Sequence, residues 1–103
     1  MFWPARNELA GVSEGATRSV EIVNKRGLHA RASAKFVKCA STFDAEVRVT
    51  KDGHTVDARS IMGLMMLAAG PGSSIEIEAE GSEANAALEA LVDLVSNRFE
   101  EDE

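Results

Sequence analysis

Apolar and polar residues alternate from Arg18 onward, with Val20 and Ile22 on one face of an extended chain and Ser19, Glu21 and Val23 on the other. This predicts a first strand. The turn-like run Asn24-Lys25-Arg26-Gly27 leads into a helical stretch from about Ala30 to Ser41, in which Ala30, Ala34 and Val37 share a face with Ala40 close by. Ala45, Val47 and Val49 alternate with Glu46, Arg48 and Thr50, and Lys51-Asp52-Gly53-His54 brings Asp-Gly turn chemistry before Thr55-Val56-Asp57, the pattern of a hairpin. Ser60 is placed to cap a short apolar helix through Ile61, Leu64, Met65 and Ala68, which Gly70-Pro71-Gly72 stops. Ile75, Ile77 and Ala79 alternate with Glu76, Glu78 and Glu80, predicting a strand with one buried and one acidic, wet face. Ser82 can cap a last helix in which Ala84, Ala87, Leu88, Leu91, Val92 and Val95 recur at helical spacing.

The predicted order is βαββαβα. Strands with polar outer faces, interrupted by amphipathic helices, imply an α+β open-faced sandwich: four antiparallel strands with three helices on one face. The first 17 residues show no period and are followed by strand-like alternation, so residues 1–17 are expected to form a flexible extension, 18–99 the domain and 100–103 an acidic tail.

At 103 residues and 45% hydrophobic against 27% charged residues, the chain is long enough for one modest core and too short for a multidomain enzyme. No run of about 18 apolar residues exists and the N-terminus lacks a signal-peptide pattern, so a cytoplasmic protein without membrane insertion is expected. A single cysteine, Cys39, cannot form an internal disulfide and reads as a buried reduced thiol. The net charge of −6 argues against nucleic-acid binding. That total conceals an asymmetry: Glu76 to Glu103 holds ten acids and one base, Arg98, whereas Lys25 to Lys38 holds Lys25, Arg26, Arg31, Lys35 and Lys38 with no acid. The second window is a local cationic site around a histidine.

His54, at a hairpin tip, reads as an ordinary surface histidine. His29 differs, because it precedes a helix whose first amides, those of Ala30, Arg31 and Ala32, lack intrahelical partners. The helix dipole and Arg31 disfavour an imidazolium there and would stabilise a dianionic phosphoryl group carried on the ring. A metal site from His29, His54 and Cys39 has no ligand-type spacing, and no phosphate-binding glycine loop or nucleophilic triad is present. No metal or cofactor is therefore expected. Ile61, Met62, Leu64, Met65, Met66 and Leu67 are too many for one face of a short helix, so some must point outward, where flexible methionine suits successive partners. Ile61, Met62 and Met65 are taken as a docking patch, with Arg31, Lys35 and Lys38 steering acidic partners.

Gly27-Leu28-His29-Ala30-Arg31-Ala32-Ser33 resembles the active-site signature of the phosphocarrier protein HPr family of the phosphoenolpyruvate-dependent phosphotransferase system. Ser60-Ile61-Met62-Gly63-Leu64-Met65 resembles that family's second signature, at the family's 31-residue interval from His29. The resemblance spans about residues 18–97. It implies that His29 accepts a phosphoryl group on Nδ1 from Enzyme I, with Arg31 contacting the phosphate beside the Ala30 and Ala32 amides, and passes it to an Enzyme IIA component. Such a protein is a carrier, not an autonomous catalyst. It further implies regulation by a serine kinase or phosphorylase acting on Ser60. Ala32 departs from the family pattern, which has proline there, and Asn24-Lys25-Arg26-Gly27 looks like the nitrogen-related branch more than a sugar-transport member. The rival is a regulatory binding module acting through Ser60 and the Ile61, Met62 and Met65 patch without phosphoryl relay. Nothing in the sequence demands more than a monomer.

Overall fold

The structure, a computed structural model, describes residues 15–101. Four strands, β1 (Gly15–Glu21), β2 (Glu46–Lys51), β3 (His54–Asp57) and β4 (Ser74–Glu80), form one sheet in the order β1-β4-β2-β3, every pair antiparallel. Three helices, α1 (Ala30–Ser41), α2 (Ile61–Met66) and α3 (Ala84–Ser96), complete the predicted βαββαβα order. β1 starts at Gly15, three residues before the alternation that marks it, because Gly15, Ala16 and Thr17 pair with Glu80, Ala79 and Glu78. The expected extension otherwise lies outside the described residues, as do the last two residues of the acidic tail.

The alternation in β4 sets the layers. Ile75, Ile77 and Ala79 are buried with Val47 and Val49 of β2, while Glu76, Glu78 and Glu80 line the open face, where Arg48 of the neighbouring strand approaches Glu78 at 3.4 Å and Glu80 at 3.6 Å. Against the apolar face lie Phe36 of α1, Leu64 of α2, and Leu88, Leu91 and Val95 of α3, all fully buried. Burying side chains of this size stabilises the fold by about 1.5–3 kcal/mol each relative to exposure.

Three local expectations are corrected. The buried face of α1 is Ala32, Ser33, Phe36 and Ala40, whereas Ala30 and Ala34 are exposed and Val37 is half-buried. Phe36 has by far the largest apolar surface in the helix, and its direction overrides a stripe of small alanines. α2 stops at Met66, before Ala68, which takes a left-handed conformation (φ 53°) two residues ahead of the glycine-proline breaker. Ser82 does not cap α3: its hydroxyl donates to Asp44 Oδ2 at 2.6 Å, and Glu83 is the boundary residue, its carboxylate accepting from the Asp44 amide at 2.6 Å. The β2–β3 turn forms as expected, with Asp52 and Gly53 both at positive φ (51° and 83°), the pattern of a twisted two-residue hairpin.

Candidate phosphoryl-carrying site

The loop between β1 and α1 is fixed before the histidine is reached. Ile22 exchanges backbone hydrogen bonds with the segment after Pro71, donating to Ser73 O and accepting from Gly72 N, and Leu28 N donates to Ala69 O at 3.0 Å. Gly27 makes this approach possible. It sits at φ +64°, and a Cβ there would lie 2.3 Å from Ala69 O and 2.8 Å from Gly70 Cα. Asn24, fully buried, holds the turn from within: its Nδ2 donates to Gly27 O at 2.9 Å.

His29 is the N-cap of α1, with extended backbone (φ −79°, ψ −177°), and its carbonyl accepts the first helical bond from Ser33 N at 2.8 Å. The imidazole makes no capping bond, so the opening amides of α1 remain available to a ligand. The ring is at the surface rim, 17% exposed. Arg31 follows on the exposed side of the first turn and has no ion pair among the described residues. Ala32 is fully buried at the third helical position.

The side chain that completes the site comes from the other end of the chain. Glu101 Oε2 lies 2.7 Å from His29 Nε2, and Oε1 accepts from Asn24 Nδ2 at 3.2 Å, so both carboxylate oxygens are held in a pocket that leaves Glu101 11% exposed. After α3 the chain makes a left-handed turn in which Arg98, Phe99 and Glu100 have φ of 60°, 55° and 63°. Phe99 is fully buried, and its carbonyl accepts from Lys35 Nζ at 2.7 Å. Burial pushes the Glu101 carboxyl up. The hydrogen bonds from His29 and Asn24, with the nearby charges of His29 and Lys35, outweigh it and hold the group below the usual carboxylate range.

Two placements therefore depart from the sequence reading. Glu101, expected in the acidic tail, lies against His29, and Lys35, expected at a docking rim, has its ammonium on the Phe99 carbonyl. Lys38 is exposed on the next turn. Asn24 and Glu101 were not foreseen. They are 77 residues apart, and neither carries a local signal of its role beyond a polar residue beside a glycine turn and an acid after a phenylalanine.

Ser60 caps α2, its Oγ accepting from Gly63 N at 2.9 Å. The apolar residues after it divide as their number required: Leu64 is buried, whereas Ile61, Met62 and Met65 are exposed, with Met66 exposed most of all at 78%. α1 packs directly against α2, the helix that carries this patch. Cys39 is half-buried, and burial pushes its thiol up. His54 is exposed at the start of β3. Among the described residues no helix is long and apolar enough to cross a membrane.

A family model described as the PTS HPr component phosphorylation site matches residues 16–97, which includes both signatures and, but for Gly15, all four strands. The chain belongs to the HPr family. It is 50% identical over 86 residues to the phosphocarrier protein HPr of Cupriavidus necator, covering 84% of this chain and 97% of that one, and 54% identical over 86 residues to the HPr of Neisseria meningitidis serogroup A, with the same coverage. The crystal structure of HPr-C-His from Thermoanaerobacter tengcongensis superposes with a TM-score of 0.82 at 43% identity, covering 85% of this chain and 99% of that one. HPr proteins are phosphoryl carriers, and the open-faced sandwich is the fold shared here.

Proposed function

We propose that this chain takes a phosphoryl group from phosphorylated Enzyme I onto His29 and hands it to an Enzyme IIA component of the phosphotransferase system. The observation that carries this reading is the position of the His29 ring: at the start of a 12-residue helix, partly exposed, and not occupied by a bond to its own helix. A dianion there meets unpaired amides and a dipole end, each interaction worth roughly 0.5–2 kcal/mol, and Arg31 adds a charge that can contact phosphate oxygens. These groups hold without locking, as a reversible carrier needs. The Ile61, Met62 and Met65 patch serves as the docking surface, because an adaptable apolar face suits two partners in turn.

Ser60 is the regulatory position in this reading. A phosphate on its oxygen would place about −1.5 to −2 charges at the edge of that patch while still being able to accept from the Gly63 amide. The reading is tested by mixing the protein with labelled phosphoenolpyruvate and Enzyme I, then adding Enzyme IIA. Label should enter the chain and move on to the acceptor. Failure of the chain to gain label, or label that never leaves it for any IIA, contradicts a relay.

A further inference from the structure

We propose that the cavity between α1 and α3 is a binding site for a small zwitterion of the amino-acid or short-peptide class, its apolar body on the floor and its two charges on opposite walls. The cavity has a volume of about 520 Å³, within the range of sites that enclose small organic molecules. Neither His29 and Arg31 nor the Ile61, Met62 and Met65 patch lines it. Its walls follow from helical spacing. Lys35, Lys38 and Cys39 fall three and four residues apart on one face of α1, and Ala90, Asp93 and Leu94 do the same on one face of α3, so the two stripes meet across the gap between the packed helices.

The charges are sorted by wall. α1 contributes the ammonium groups of Lys35 and Lys38, whereas α3 and the turn after it contribute the carboxylates of Asp93 and Glu100. Lys38, Asp93 and Glu100 are exposed and form no ion pair among the described residues, so the opposite signs do not close the gap on each other. Lys35 is fixed in place by its bond to Phe99 O at 2.7 Å, which leaves two of its three N–H groups for another acceptor. Between the walls, Cys39 and Leu94 are half-buried and pack against the core, and burial keeps the Cys39 thiol protonated and uncharged. The floor is apolar.

This arrangement selects by charge pattern. A simple anion meets the two lysines but also Asp93 and Glu100, a simple cation meets the reverse, and an uncharged apolar molecule leaves charges on both walls partly desolvated. A carboxylate and an ammonium on one apolar body satisfy both walls together: the carboxylate accepts from Lys35 and Lys38, and the ammonium donates to Asp93 or Glu100. Such an occupant also ties Lys35, and through it the Phe99 carbonyl, to α3. Binding then requires the folded C-terminal turn, and by mass action it raises the unfolding temperature.

Titration of L-leucine and of the dipeptide Leu-Leu into isotope-labelled protein, followed by backbone amide chemical shifts and thermal unfolding, tests the proposal and separates its two sources. At least one of the two should give saturable shifts centred on residues 35–42 and 90–100 with a raised unfolding temperature, and the tighter binder tells whether a free amino acid or a peptide is the occupant. N-acetyl-leucine, which lacks the ammonium, and leucinamide, which lacks the carboxylate, should bind at least about fivefold more weakly than leucine, and Lys38→Met and Asp93→Asn should weaken the zwitterion by a similar factor. Both substituted side chains are exposed, so each variant should keep the wild-type amide spectrum outside the cavity. Absence of saturable shifts from either probe at tens of millimolar, shifts centred elsewhere, blocked derivatives that bind as well as leucine, or folded variants that bind as tightly as the wild type overturn the proposal.

Discussion

At the scale of single residues, two side chains have structural roles whose energies can be measured. Ser60 satisfies one of the open amides of a helix only six residues long, so Ser60→Ala should lower stability by about 1 kcal/mol in urea unfolding. Ser60→Asp retains a capping oxygen and should unfold near the wild-type midpoint while accepting phosphoryl groups more slowly from Enzyme I; equal transfer rates would remove Ser60 from regulation. Glu101 gives the molecule a pH dependence of definite sign. Its carboxyl is held below its ordinary value of about 4.5, so it contributes stability that is complete above that value and is lost as the pH falls through the lower folded value. The wild type should be more stable than Glu101→Gln at pH 7, and the gap should close at acid pH.

At the scale of elements, the loop ahead of α1 depends on one glycine. Gly27→Ala would combine a left-handed backbone with a Cβ driven against Ala69 O, and because backbone must move to relieve it, a loss of about 2 kcal/mol or more is expected, measured by thermal or urea unfolding. A change within a few tenths of a kcal/mol would mean that the 69–73 segment yields freely. The elements themselves were legible to different degrees, for physical reasons. β4 declared itself because three glutamates alternate with Ile75, Ile77 and Ala79, and the sheet leaves one face wet. The face of α1 was misread because alanine spacing was weighed equally with Phe36, although the larger side chain decides which way a helix turns. The end of α2 was read from Gly70 and Pro71, whereas Ala68 had already left helical geometry.

At the scale of the whole molecule, the site joins two ends of the chain that no periodicity connects. His29 was legible from a local motif and a helix start; Glu101 was not, because it lies 72 residues away after a left-handed turn that only tertiary packing around Phe99 and Lys35 maintains. Charge is likewise divided. A molecule of net charge −6 presents Lys25, Arg26, Arg31 and Lys38 as exposed cations on the loop and helix that flank the histidine in sequence, so encounter with an acidic partner face should be steered, and the rate of acceptance should fall as ionic strength rises. A rate indifferent to salt would assign docking to the apolar patch alone. The carrier reading itself meets its most direct test in the mass of the protein after incubation with phosphoenolpyruvate and Enzyme I. Wild type should gain a single acid-labile phosphoryl group and His29→Ala none; a modification that survives the loss of His29 would contradict it.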